Sequence, residues 1–120
     1  HDLIERVLLS YPDVKMICAN TGQDGLKLAY SEMPDIIMLD INLPDMDGYD
    51  LLDKIIQTER LINVTVLAIS AKAMPEDIQK GLNAGFLHYI TKPVKIYAFM
   101  NILDSILTKE KDMAQHISQG

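Results

Sequence analysis

The sequence predicts an α/β domain: a parallel sheet with helices on both faces. Three observations carry this expectation. Short apolar runs rich in strand formers alternate with stretches whose apolar residues recur every three or four positions. Proline, glycine and aspartate punctuate most boundaries between them. The run Ile36 to Leu39 is continuously apolar, as in a strand buried on both faces. At 120 residues, 48% apolar and 23% charged, the chain has the size and balance of one globular domain.

Each element has its own warrant. Leu3, Ile4, Val7 and Leu8 line one face of a helix over residues 2–10, and Tyr11-Pro12-Asp13 turns the chain. Residues 14–19 form a short apolar strand, followed by the punctuating pair Thr21-Gly22. Leu26, Ala29, Tyr30 and Met33 mark a second helix that Pro34 closes. Residues 35–41 are a strand, and residues 43–48 a loop of Pro, Asp and Gly. Leu51, Leu52, Ile55 and Ile56 stripe a third helix. Residues 64–69 are a β-branched strand. Pro75 suits the first turn of a fourth helix, with Glu76 and Asp77 at its positive end. Ile78 and Leu82 supply its inner face, and Gly85 ends it. Residues 88–90 are a short strand, and residues 94–107 a long helix with an apolar face. From Thr108 the chain is polar. Residues 1–107 are therefore expected to form the domain, and residues 108–120 a polar tail or linker. One helix followed by four strand–helix pairs implies right-handed crossovers. Acting residues should gather at the carboxyl ends of the strands.

Composition excludes several functions. A net charge of -6 opposes a nucleic-acid surface. The single cysteine, Cys18, lies in an apolar run and reads as core; no internal disulfide is possible. No apolar run reaches the ~20 residues of a membrane helix. No signal peptide is visible, so a cytoplasmic location is expected. The chain starts at histidine, which suggests a fragment of a longer protein. His1 and His116 have no ligand partners nearby in sequence, so no zinc site is suggested. His88 reads as a sheet-face residue, and the methionines as core filler.

The strand ends carry the chemistry. The second strand ends in Asp40, the third in Ser70, and the fourth runs into Thr91-Lys92-Pro93. Taken singly, an aspartate or serine there is a cap and a lysine a solvated loop residue. Together, an acid, a hydroxyl and an amine at one sheet edge suit phosphoryl transfer. A carboxylate can hold a phosphoryl group as an acyl phosphate, and a cation can neutralise its charge. Asp35 starts its strand and so lies on the wrong edge. Asp45 and Asp47 read as turn or cap residues, and Asp50 and Asp53 as a solvated helix face.

The pieces "DIIMLDINLPDMDG", "VTVLAISAKAMPED" and "GFLHYITKPV", in this order and spacing, resemble the receiver domain of bacterial two-component response regulators. The resemblance covers the chain to about Leu107, and its style is similar to receivers attached to hybrid histidine kinases. It implies a flavodoxin-like (CheY-like), doubly wound, three-layer α/β/α fold. It implies Asp40 as phosphoacceptor, served by a histidine kinase or histidine phosphotransfer protein. Lys92 would pair with Asp40 or its phosphoryl oxygens. Ser70 would bond the phosphoryl group, and Tyr89 would follow that movement. The Asn42 carbonyl would join Asp40 as a ligand to Mg2+. Lys92–Pro93 would be a cis peptide, and Gly48 would let its loop turn back over the site. Tyr89 and Tyr97 would lie on or near the output surface. Such a domain acts on its own carboxylate and is not a turnover enzyme.

The chain departs from the family at its start. Receivers open on a central strand ending in an acidic pair that holds magnesium; here a helix comes first, and neither Asp2 nor Glu5 can substitute from within it. With the family strand order 2-1-3-4-5, a slot is expected between "VKMICA" and "DIIML". An upstream strand, a second chain by homodimer or domain swap, or closing up of the remaining strands in a different order could resolve it. For these 120 residues an altered or oligomeric arrangement is expected, with weak or absent Mg2+ binding. The alternative function is a receiver-like interaction module independent of phosphate. An aspartate-nucleophile phosphatase is disfavoured, because Asn42 stands where its second acid would be. A flavin site is disfavoured because no phosphate-cradling glycine loop follows the first visible strand.

Overall fold

The computed structural model describes residues 2–19, 21–61 and 63–119, and the side chains of all of these except 2, 3 and 109–119. The readings of His1 and of the Leu3 and His116 side chains lie outside the described residues. The elements are α1 (Asp2–Leu8), β1 (Met16–Ala19), α2 (Gly22–Glu32), β2 (Ile36–Asp40) and α3 (Gly48–Ile56). A 3-10 turn (Glu59–Leu61) leads into β3 (Thr65–Ser70), α4 (Pro75–Ala84), β4 (His88–Thr91) and α5 (Ile96–Gln119). Helix and strand therefore alternate as the periodicity predicts.

Four parallel strands form one sheet in the order β1-β2-β3-β4. β2 shows why its sequence is unbroken apolar. Ile37 and Leu39 enter one core with Ala29 of α2 and Leu51, Leu52 and Ile55 of α3. Ile36 and Met38 enter the other with Ile4 and Val7 of α1 and Phe99, Leu103 and Ile106 of α5. Burying each such side chain contributes ~1.5–3 kcal/mol. The result is three layers, with α2 and α3 on one face and α1 and α5 on the other. Among the described residues no helix is long and apolar enough to cross a membrane.

Boundaries follow local chemistry. Thr21 caps α2, its hydroxyl accepting from the Asp24 N–H at 3.1 Å. Met33 takes a left-handed turn (φ 48°) that closes α2 before Pro34. Pro75 opens α4, and Gly85 ends it with φ 124°.

Two expectations are corrected. The slot between the first two strands is absent. β1 pairs directly with β2, Met16 opposite Ile36 through Ala19 opposite Leu39. The strands have closed up, in sequence order and with no reversal. The reason is energetic: a slot would strip partners from backbone groups at ~1–3 kcal/mol each, and pairing restores them. The last helix, read as residues 94–107, is also longer than expected, because α5 runs from Ile96 to Gln119. Its Lys, Glu, Met, Ala and Gln residues are good helix formers, and extending an existing helix needs no new nucleus.

Candidate functional site

β2, β3 and β4 end side by side, with Asp40 opposite Ile69 and Ser70 opposite Thr91. This register delivers Asp40, Ser70 and Lys92 to one edge. Lys92 Nζ lies 2.7 Å from Asp40 Oδ2, while the Asn42 N–H donates to Asp40 Oδ1 at 2.9 Å. Both carboxylate oxygens are thus engaged, yet the pair faces solvent, with side chains 45% and 28% exposed. Such a pair is worth ~0–1 kcal/mol to stability, so its geometry matters more than its energy. The Lys92–Pro93 peptide is cis.

Ser70 is fully buried and not in the pair. Its hydroxyl accepts from the Lys72 N–H at 3.1 Å, and its carbonyl accepts from the Lys92 N–H at 2.9 Å. Tyr89 donates its phenol to the Lys72 carbonyl at 2.9 Å. The Lys72 peptide units therefore join Ser70 to Tyr89. Sequence reasoning missed this residue, because its role rests on its main chain and no side-chain signal marks it.

The loop after β2 folds onto itself. The Gly48 N–H donates to the Ile41 carbonyl at 3.0 Å, and Asn42 bridges Asp47. A Cβ at Gly48 would stand 2.6 Å from Ile41 Cα, so the chain passes too close for any side chain. Asp47 caps α3, accepting from the Tyr49 N–H at 2.8 Å. Asp45 does not cap its own helix. Its carboxylate reaches α2, accepting from the Gly22 and Gln23 N–H groups at 2.7 and 3.1 Å. Those two donors, Gly22 first, hold the Asp45 carboxyl below its ordinary pKa. Asp35 sits at the opposite edge, bonded to the Lys15 N–H.

A cavity of about 730 Å3 opens beside the Asp40–Lys92 pair, walled by Ile4, Cys18, Met38, Ile69 and Val94. It lies on the sheet face that packs against α1 and α5. Cys18 lines this cavity half-buried, and burial raises its thiol pKa.

The donors do not fit a divalent cation by themselves. Among the described residues no group of three His, Cys, Asp or Glu stands where it could hold a metal ion. Asp40 and the Asn42 carbonyl fall short of the six oxygens that Mg2+ prefers.

Residues 2–104 match the family described as the response regulator receiver domain. The polar-differentiation response regulator DivK of Brucella ovis is 30% identical over 102 residues, covering 85% of this chain and 83% of DivK. The regulator ycf29 of Pyropia yezoensis is 33% identical over 92 residues, or 77% of this chain. The match spans 41% of that protein and 48% of ycf29 from Porphyra purpurea, so the chain covers less than half of these relatives. The signal receiver domain of a DNA-binding response regulator (merR) from Colwellia psychrerythraea 34H shares the fold. Its TM-score is 0.78 at 21% identity, covering 89% of this chain and 88% of that one. A response regulator from Chloroflexus aurantiacus J-10-fl matches with TM-score 0.75 and 25% identity, covering 89% and 87%. With three aligned strand ends, a paired acid and lysine, and this coverage, the chain belongs to the response regulator receiver domain family of two-component signalling.

Proposed function

We propose that the chain accepts a phosphoryl group on Asp40 from the phosphohistidine of a histidine kinase or phosphotransfer protein, and thereby switches a partner surface. The observation that carries this is the Asp40 carboxylate at the end of β2 with the Lys92 ammonium 2.7 Å away. In the transfer an Asp40 oxygen attacks phosphorus. The P–N bond to the histidine breaks as the new P–O bond forms, and the imidazole leaves with the electron pair and takes up a proton. Lys92 uses one N–H on Asp40 and has two more to meet phosphoryl oxygens. The Ser70 hydroxyl accepts from Lys72 and keeps its own proton to donate. Turning it to a phosphoryl oxygen would pull on the Lys72 main chain, which Tyr89 also holds. Water attack on the same phosphorus would reset the switch. The cation used across the family would need donors beyond Asp40 and Asn42, and no step here is assigned to it.

The test is intact mass after incubation with a small acyl-phosphate donor and magnesium. With its cation site incomplete, the chain should gain one phosphoryl mass slowly, and the Asp40→Asn variant should gain none. A gain in both, or in neither, rejects Asp40 as acceptor. One observation favours the alternative, a phosphate-independent interaction module. Among the described residues the acids do not gather into a metal site.

A further inference from the structure

We propose that Asp45 and Met46 form a latch that docks the phosphoacceptor loop onto the start of α2, making Asp45 a positioning residue for Asp40 and Asn42. Only the word phosphoacceptor rests on the preceding reading; the latch itself is geometry. Asp45 places one oxygen on the Gly22 N–H at 2.7 Å and the other on the Gln23 N–H at 3.1 Å. These are unpaired donors of a helix start, where a carboxylate is favoured by both charge and hydrogen bonding. The next residue completes the dock. A Cβ at position 22 would lie 2.3 Å from Met46 Cγ and 2.4 Å from its sulfur, so the Met46 side chain occupies the space a side chain at 22 would fill.

The loop is thus held at three places. At its start the Asn42 N–H is bonded to Asp40 Oδ1. In its middle Asp45 and Met46 are fixed to α2. At its end Asp47 caps α3, and the Gly48 N–H returns to the Ile41 carbonyl. Removing the middle hold frees a loop whose first residue orients the Asp40 carboxylate. The α2 start has a second cap in Thr21, whose hydroxyl takes the Asp24 N–H rather than a loop group. That separation makes the latch distinguishable from ordinary support of the helix.

The experiment is amide hydrogen exchange, resolved by residue, on the whole chain and three variants. In Asp45→Ala the Asn42 and Gly48 amides should exchange about ten-fold faster, because local opening now needs no release from α2. Asp45→Asn keeps one acceptor oxygen and should recover most of that protection. Thr21→Ala should speed exchange at Asp24 and leave Asn42 and Gly48 within about two-fold of the parent chain. Unchanged Asn42 and Gly48 amides in Asp45→Ala would overturn the latch. So would equal acceleration in Thr21→Ala, which would mean that helix support alone is at work. Phosphoryl uptake from an acyl-phosphate donor gives the second readout, and should slow in Asp45→Ala but not in Thr21→Ala. A parent chain that takes no phosphoryl group defeats the proposed function, while the exchange data still decide the latch.

Discussion

Ser70→Ala separates the switch from the scaffold. The hydroxyl is fully buried and accepts one hydrogen bond, from the Lys72 N–H at 3.1 Å. A buried donor left bare would cost ~1–3 kcal/mol, but Lys72 is exposed, so water can meet its N–H once the loop relaxes. The expected loss is therefore about 1 kcal/mol, against a total of about 5–15. That corresponds to a fall in Tm of about 4 °C. Urea titration measures it directly, with an unchanged slope showing that the same surface unfolds. The second readout is Tyr89. Its phenol holds the Lys72 carbonyl at 2.9 Å, so loosening that residue should shift the Tyr89 ring resonances while those of Tyr30, in α2 under the Arg60 guanidinium, stay put. A loss above ~3 kcal/mol would mean that the hydroxyl supports more than one loop contact. Unmoved Tyr89 resonances would refute the link through Lys72.

Other outcomes follow from the same geometry. Lys92→Met should leave stability within ~1 kcal/mol in denaturant titration, because the pair with Asp40 faces solvent, yet should sharply reduce phosphoryl uptake. Leu103→Ala empties a fully buried position of α5 and should cost ~2–5 kcal/mol in denaturant titration. The Asp45 carboxyl is held below its unfolded value of 3.8, so its stabilisation is present above that pH and is lost as pH falls through the lower folded value. Acid unfolding of Asp45→Asn should accordingly show a shallower pH dependence below about pH 4 than the parent chain.

Much of the fold was legible because it is written locally. The continuous run Ile36 to Leu39 announced a strand with two buried faces, and helical spacing marked Leu51, Leu52 and Ile55. Asp40, Ser70 and Lys92 stood out because strand ends on a parallel sheet converge. Three features were not legible. The β1–β2 pairing depends on which distant backbone groups find partners, and nothing in "MICA" or "IIMLD" names its neighbour. Asp45 reads as a local cap because its true partners, Gly22 and Gln23, are remote in sequence. The end of α5 is mostly polar, with only Met113, Ala114 and Ile117 at helical spacing, so periodicity is weak there and propensity carries the helix.

The most direct measurement is to locate the modified residue. The chain would be incubated with a phosphorylated histidine kinase or phosphotransfer protein and magnesium, then treated with borohydride. That reagent reduces an aspartyl phosphate to homoserine, and peptide mass spectrometry then reads the position. Homoserine at position 40 alone, lost in Asp40→Asn, is the predicted result. Homoserine at position 35, 45 or 47, or no modification while a kinase partner still binds, would contradict it.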